Sequence, residues 1–340
     1  FPPPPLLMMS AHLHATSGGR VFAMRVLVII DPPSSLRPRS DTSVALMDEC
    51  LLRGHSVFVC EPQDLSVREN RPCAEVHQVT AVNRETAPAV TLAHGTEILP
   101  LSRFHAVLMR KDPPFDTTYL QATQILEYAR GQTFLMNDPR GLREANEKLY
   151  FFRFPDLIAT TLVTRKMDEI KAFQAQLGGD IVVKPIDGFG GSAVFHVRPG
   201  DSNVNAILEV STLGGTRWVM AQRYLPEGKK GDKRIHLLGG EPVGWLKRVP
   251  AGDDIRANLA AGGSAHATEL TDRDREICAR LRPHLIADGL HFVGIDVIGD
   301  YLLEVNVTSP TGVQAVSRLY NFRLEAKIVD YIEAHAPRVE

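Results

Sequence analysis

The pattern of apolar positions after Met24 predicts an alternation of strands and helices. The run RVLVII at 25–30 is continuously apolar after its first residue, Arg25, which is typical of a strand buried on both faces of a parallel sheet. A helical stretch follows from Asp41 to Arg53, with Ser40 or Asp41 as its N-cap and Gly54 after its last turn. The run SVFVCEP predicts the next strand. This order predicts an open α/β domain in the N-terminal part.

Further along the chain the pattern changes. FHAVLMRKDPPFD at 104–116 predicts a strand that ends in a polar, proline-rich loop, a helix follows at about 117–129, and TFLMN predicts another strand. DPRGLREANEKLYFFRF predicts one helix that includes Lys148. From about Leu157, strand-like runs alternate with short helices, which predicts a mixed or antiparallel α+β region. A longer helix is predicted from about Asp272 to Asp288.

Composition narrows the possible partners. The chain has 340 residues, 44% hydrophobic and 23% charged, which suits a globular protein with a sizeable core. The net charge of −2 offers no polyanion-binding surface, so we expect no nucleic-acid partner. No apolar run is long enough to span a bilayer, so we expect no membrane partner. The four cysteines form no C-x-x-C pair, which predicts reduced, buried thiols and a cytoplasmic location.

The first 23 residues differ from the rest of the chain. They open with FPPPP, show no hydrophobic period and lack the pattern of a signal peptide. We expect them to be a disordered extension outside the fold.

A glycine-rich stretch, IVVKPIDGFGGSAVFHV, lies between two valine-rich apolar runs. Runs of this kind predict strands, so Gly188, Gly190 and Gly191 should form the tip of a hairpin. Glycine lets backbone N–H groups approach a ligand closely, and Lys184 would add a point charge for a phosphate. A hairpin with no ligand is the commoner structure, so both interpretations stay open at this point.

An acidic hairpin is more specific. In FVGIDVIGDYLLEVNV, Asp296, Glu304 and Asn306 interrupt apolar strands, and all three offer oxygen ligands suited to Mg²⁺. A two-residue turn would place Asp296 opposite Leu303, whereas a three-residue turn would place it opposite Glu304. A metal site therefore predicts the longer turn or a bulge. For Asp296, a solvated edge-strand carboxylate is the alternative.

Three further segments carry candidate chemistry. Residues 248–266 form a long loop of small residues with arginines, which is either a lid over a reacting phosphate or a mobile surface loop. QRYL at 222–225 is compatible with an adenine pocket. Asp31, Arg110 and Lys111 follow predicted strands at their carboxyl ends, where open α/β sheets bind ligands, although an ordinary solvated loop is equally compatible.

These stretches together resemble the ATP-grasp superfamily, and within it the bacterial glutathione synthetases. The resemblance covers residues 24 to about 320 and rests on VLMRKDPPFD, NEKL, KPIDGFGGSAVF, MAQRYLP, GDKRI, RANLAAGG, FVGIDVIGD and LEVNVTSPTG. It implies an ATP-grasp fold, α/β and α+β, with an N-terminal open α/β substrate domain (24–145), a lid subdomain (146–226) and a catalytic subdomain (227–335). It also implies ATP-dependent ligation of glycine to γ-glutamylcysteine through an acyl phosphate.

The resemblance also implies the site residues. Arg234 and Arg256 would neutralise the transferring phosphoryl group, and Mg²⁺ or Mn²⁺ would bind Asp296, Glu304 and Asn306. The implied ATP contacts are Lys148, Lys184, Gly188, Gly190, Gly191, Gln222, Arg223, Tyr224, Leu225 and Asp232. The implied substrate contacts are Asp31, Ser40, Arg110, Lys111, Arg248, Asn258 and Ser309.

Two other functions remain compatible with the sequence. One is another ATP-grasp carboxylate–amine ligase with a different acceptor, which the residues at the carboxyl end of the N-terminal sheet would select. The other is a nucleotide-binding regulatory protein without catalysis, although the acidic ligands and lid arginines are all present. The family resemblance implies a homotetramer.

Overall fold

The structure, a computed structural model, describes residues 23–252 and 254–337. Within them, 17 strands form three sheets, and eight α-helices pack around the sheets. The predicted disordered extension lies outside the described residues except for Ala23. No helix in the described part of the chain is long and apolar enough to cross a bilayer. All four cysteines are described, and all are buried with free thiols, as expected.

The first sheet explains the apolar runs of the N-terminal part. Its strands are β1 (Arg25–Ile29), β2 (Ser56–Cys60), β3 (Leu65–Arg68), β4 (Arg71–Val82), β5 (Val90–Leu92), β6 (Glu97–Pro100), β7 (Ala106–Met109) and β8 (Phe134–Met136). The main path runs β3-β4-β2-β1-β7-β8, and β5 and β6 also pair with β4. Strands β2, β1, β7 and β8 are mutually parallel, which confirms the open α/β domain. The antiparallel strands β3 to β6 are an addition that we did not predict.

Two helices begin at the carboxyl edge of this sheet. Helix α1 (Thr42–Leu52) is capped by Asp41, whose carboxylate accepts the Ser43 N–H at 2.7 Å. Helix α2 (Thr117–Glu127) is capped in the same way by Asp116. Because these helices follow β1 and β7, their N-termini lie near the edge where ligands bind in such sheets.

One helix is shorter than predicted. Helix α3 (Pro139–Glu144) ends well before Lys148. The reason is local, because Asn146 accepts the Lys148 N–H at 2.9 Å through Oδ1 and donates Nδ2 to the Ile186 carbonyl at 3.3 Å. Side-chain hydrogen bonds of this kind compete with a helix. The prediction that Lys148 lies in a helix was therefore wrong.

A four-stranded antiparallel sheet follows. It contains β9 (Thr161–Thr164), β10 (Ile181–Pro185), β11 (Phe195–Val197) and β12 (Val219–Arg223), in the order β11-β10-β12-β9. Helices α4 (Met167–Leu177) and α5 (Val204–Thr212) contribute Ile170 and Leu208 to its small separate core. The other face of this sheet carries Met220 and Val163, which pack against the main core, and Lys184, which lines the cleft.

The last sheet has five antiparallel strands, as the α+β pattern predicted. They are β13 (Asp232–Leu238), β14 (Glu241–Val249), β15 (Ser264–His266), β16 (Phe292–Ile298) and β17 (Tyr301–Asn306), in the order β15-β14-β13-β16-β17. Helices α6 (Asp272–Ala287), α7 (Val313–Tyr320) and α8 (Leu324–His335) complete the fold. Helix α8 is tied to α1 through Arg53, which pairs with Asp330 and Glu333. The domain boundaries at 145 and 226 stay predictions.

Candidate active site

An open cleft of about 1010 Å³ lies between the four-stranded and the five-stranded sheets. All ten predicted ATP contacts line it, namely Lys148, Lys184, Gly188, Gly190, Gly191, Gln222, Arg223, Tyr224, Leu225 and Asp232. Arg248, Arg256, Asn258, Asp296 and Glu304 line it as well. The structure therefore brings most of the predicted site residues together, while their individual roles stay predictions.

The glycine-rich stretch is a hairpin tip, as predicted. Strands β10 and β11 pair antiparallel, with Ile181 opposite Val197, and residues 186–194, here called the flap, connect them. Gly190 and Gly191 have φ values of +62° and +82°, which L side chains rarely adopt. The flap forms one wall of the cleft.

Two lysines converge on one carboxylate beneath the flap. The Lys184 Nζ lies 3.3 Å and the Lys148 Nζ 3.6 Å from Glu304 Oε1. Lys148 also donates to the Gly188 carbonyl at 2.5 Å, which ties it to the flap. Burial would raise the pKa of the Glu304 carboxyl, but the two lysines outweigh it and lower that pKa. Glu304 is thus ionised and faces two cations.

The acidic hairpin has the bulge that a metal site requires. Its turn contains two residues, since Ile298 pairs with Tyr301, but a bulge after Asp296 places that residue opposite Glu304. Asn306 lies on the same side, with Nδ2 3.3 Å from Asp296 Oδ2. In the described residues, no three side chains from His, Cys, Asp and Glu form a metal-binding group, so the candidate set depends on the Asn306 amide.

Four buried charged residues alternate at and behind the floor of the cleft. Arg234 donates two bonds to Asp296, at 2.5 and 2.9 Å, and Arg248 lies between Asp296, at 3.0 Å, and Asp232, at 2.5 Å. Burial would raise the pKa of the Asp296 carboxyl, but the two guanidinium groups outweigh it and hold that pKa well below its usual range. Arg234 and Arg248 therefore orient Asp296 as an anion.

The lid loop, residues 250–252 and 254–263, lies against the flap. A Cβ on Gly191 would lie 2.9 Å from Asn258 Oδ1 and 3.3 Å from Arg256 Cδ, so the close approach requires glycine. The Arg256 guanidinium pairs with Asp254 at 2.7 Å, and these hydrogen bonds lower the pKa of the Asp254 carboxyl to about 2. Arg256 therefore lines the cleft, and within the lid loop its positive charge is paired with the Asp254 carboxylate.

The far end of the cleft is apolar. Residues 222–225 span the end of β12, and Val182, Leu225, Ile298 and Leu303 contribute apolar surface there. The Tyr224 ring stacks on His196, with centroids 4.1 Å apart. A flat pocket of this kind with backbone groups along one side suits a purine base.

A second polar cluster, here called the acceptor cluster, lies at the carboxyl edge of the first sheet. Asp31 accepts the Asp112 N–H and pairs with Lys111, each at 2.8 Å. Ser309 donates to the Asp112 carboxylate. Arg110, which is 4% exposed, completes this cluster. Four of the predicted substrate contacts therefore lie together.

The remaining predicted contacts lie apart from this cluster or link it to other elements. Ser40 is exposed in the loop before α1, whereas the nearby Ser43 hydroxyl accepts from Arg110 at 3.2 Å. Arg110 also donates to the Pro310 carbonyl at 3.1 Å, which joins the first sheet to the loop after β17. Arg234 and Asn306 lie behind Asp296 rather than on the lining of the cleft.

Comparison with known proteins identifies the family. The model of the prokaryotic glutathione synthetase N-terminal domain matches residues 24–143, and that of the prokaryotic glutathione synthetase ATP-grasp domain matches residues 147–321. The chain belongs to the prokaryotic glutathione synthetase family. It is 49% identical to the glutathione synthetase of Gloeobacter violaceus over 91% of this chain and 96% of that protein, and 42% identical to that of Pseudomonas putida over 92% and 98%.

Solved structures share the fold at lower identity. D-cycloserine synthetase DcsG matches with a TM-score of 0.61 and 15% identity over 91% of this chain and 99% of that one. The ATP-grasp ligase PsnB in complex with minimal precursor, Mg and ADP matches with a TM-score of 0.58 and 16% identity, over 91% and 97%. The predicted family, the ATP-grasp fold and an ATP-dependent glutathione-forming ligase are confirmed at the level of the family.

Three polar residues near the site, Asp112, Glu147 and Asp254, were not among the predicted contacts. Asp112 follows Lys111 at a strand end and could have been included by its position. Glu147, whose carboxylate accepts the Thr308 hydroxyl at 2.7 Å, stands in NEKL beside Lys148 and was overlooked. Asp254 lies in a loop whose contacts only the folded chain reveals.

Proposed function

We propose that the chain joins glycine to γ-L-glutamyl-L-cysteine and converts ATP to ADP and phosphate, giving glutathione. The observation that carries the proposal is the match of both family models across residues 24–143 and 147–321. The cleft supports it, because two lysines face an ionised carboxylate beneath a glycine-built flap.

The chemistry needs no covalent protein nucleophile. A carboxylate oxygen of the cysteinyl residue attacks the γ-phosphorus of ATP, ADP leaves, and an acyl phosphate forms. The glycine amine then attacks the acyl carbon, phosphate leaves, and the amine loses a proton. Positioning and charge neutralisation supply most of the catalysis in such transfers.

The residues of the cleft divide these tasks. Lys148 and Lys184 would bind the phosphates under the flap, residues 222–225 would hold adenine, and Asp232 would lie on the ribose side. Arg234 and Arg256 would neutralise charge on the transferring phosphoryl group. Arg256 would do so through Nη1, since its bonds with Asp254 use Nε and Nη2.

The donor set fits a hard divalent cation, Mg²⁺ or Mn²⁺. Asp296 and Glu304 offer carboxylate oxygens, and the Asn306 amide donates Nδ2 to the Gly294 carbonyl at 3.1 Å, which leaves its oxygen as an acceptor. When bound there, the cation would neutralise charge on the phosphates. The basic side chains Arg248, Lys148 and Lys184 line the cleft beside these carboxylates, which suits an anionic metal–nucleotide complex.

The acceptor substrate, γ-glutamylcysteine, would bind where the first sheet meets the cleft. Asp31 carries a carboxylate suited to an ammonium group, whereas Arg110 and Lys111 suit carboxylates. Ser40, Ser309, Arg248 and Asn258 complete the proposed substrate contacts. The homotetramer and the cytoplasmic location stay predictions.

ADP release measured with a coupled assay tests the proposal. We expect turnover only when ATP, a divalent cation, γ-glutamylcysteine and glycine are all present, with glutathione as the product by mass spectrometry. Turnover with other amino-acid pairs, and none with this pair, would favour a sister ligase. Nucleotide binding without turnover for any pair would favour a regulatory protein.

A further inference from the structure

His236 is a buried histidine on β13 that none of the roles above uses. Its side chain is 0% exposed and stacks on the Phe292 ring, with planes 10° apart. It lies two residues after Arg234, on the same face of the strand. Its Nε2 lies 3.0 Å from the Thr311 carbonyl oxygen, and because a carbonyl oxygen only accepts, Nε2 carries the proton and donates it.

Thr311 belongs to residues 307–312, here called the connecting loop, which joins β17 to α7. The Thr311 carbonyl also accepts from Arg234 Nη1 at 3.3 Å, and the Pro310 carbonyl accepts from Arg110 at 3.1 Å. A Cβ on Gly312 would lie 3.3 Å from His236 Cε1, so the loop lies directly against the imidazole. The connecting loop therefore joins Arg110 of the acceptor cluster to Arg234 behind Asp296.

We propose that His236 is a positioning residue for the acceptor substrate, because its Nε2–H fixes the connecting loop that holds Arg110 and Arg234 in place. The inference rests on the proposed function. Burial, followed by the neighbouring charge of Arg234, lowers the pKa of His236 to about 4, so the imidazole is neutral at neutral pH and has one N–H. The Gly244 backbone also lies near the ring, but only the Nε2–Thr311 contact has hydrogen-bond geometry, since Nδ1 has no such partner in the described part of the chain.

Substitution of His236 by leucine removes the Nε2–H donor and places an apolar side chain in the buried position. We expect KM for γ-glutamylcysteine to rise about three- to tenfold, the effect of one lost neutral hydrogen bond, and kcat to fall as Arg234 loses its fixed neighbour. KM for ATP should stay within about twofold because residues 222–225 lie at the far end of the cleft. His236→Gln supplies an amide donor and should recover most of the acceptor KM.

His55→Leu is a matched control. His55 is also a buried histidine with one recorded partner through Nε2, Glu333 at 2.8 Å, but it lies at the amino end of β2 on the opposite edge of the first sheet. We expect this variant to lower the melting temperature without changing either KM. Thermal melts of all three variants separate a loss of stability from a loss of positioning.

The outcomes separate the two proposals. Absence of wild-type turnover with γ-glutamylcysteine and glycine would overturn both. An active wild type with an unchanged acceptor KM in H236L would overturn the positioning role alone. The positioning role would also be overturned if the KM values for ATP and γ-glutamylcysteine rose equally in H236L. The same selective rise in H55L, or no recovery in a folded H236Q, would overturn it too. A selective rise in the acceptor KM, recovered by glutamine, would establish it.

Discussion

Replacing Gly191 with alanine tests whether contact between the flap and the lid loop matters for turnover. Gly190 and Gly191 both have left-handed backbone angles, +62° and +82°, where alanine costs about 1–2 kcal/mol. A methyl group on Gly190 would meet nothing within 4 Å, whereas one on Gly191 would lie 2.9 Å from Asn258 Oδ1 and 3.3 Å from Arg256 Cδ. The backbone strain is alike, so the two variants differ in the steric contact.

The extra contact sets the expected magnitude. The neighbouring atoms belong to side chains that can move off their rotamers at a cost of about 0.5–1.5 kcal/mol, so Gly191→Ala should lose about 2- to 12-fold more kcat/KM for ATP than Gly190→Ala. Coupled ADP release gives these constants, and limited trypsin digestion at Arg256 with a non-hydrolysable ATP analogue reports closure directly. In the Gly191→Ala background, Asn258→Ala should cost less than in the wild type because it removes the clashing atom. Equal losses at the two glycines would refute the reasoning.

Three further outcomes are expected. Glu304→Gln should abolish turnover with an unchanged thermal melt, because it removes the carboxylate that the two lysines face and that is proposed to hold the cation; near-normal rates would remove the metal assignment. Arg256→Ala should lower kcat far more than the affinity for ATP, since it acts as charge develops, and an unchanged kcat would show that the lid does not reach the chemistry. The four thiols should resist a disulfide reagent at pH 8 and react after denaturation, because burial raises the pKa of Cys50 and Cys278 to about 12; rapid native reaction would contradict the core packing.

Strand positions and the hairpin character of the flap were predictable from the sequence. Short apolar runs such as 26–30 and 181–183, next to turn residues, are typical of buried strands, and the glycines after the second run left little room for a helix. The antiparallel strands β3 to β6 were missed because their burial alternates irregularly, as in β4, where a paired partner rather than the local pattern decides which side chains are covered.

The details of the site depended on contacts distant in sequence. Both turn lengths were compatible with the acidic hairpin, and only the bulge after Asp296 decided which residues share a face. The sequence around Lys148 continues a helical pattern. Only the hydrogen bond from the Lys148 N–H to the Asn146 side chain shows that the helix has ended before it. His236 is a single histidine in an apolar strand, a pattern that more often marks a core residue, so only the position of Thr311 reveals its partner.

Charges alternate from Asp232 through Arg248 and Asp296 to Arg234. The four residues therefore contribute differently, since Arg248 separates two carboxylates. A neutral residue in place of Arg248 would leave the Asp232 and Asp296 carboxylates facing each other without the cation that separates them. Without that cation each carboxylate would raise the pKa of the other, and burial already raises the pKa of Asp232 in the parent protein. On acidification, the rate of such a variant should therefore fall at a higher pH than that of the parent.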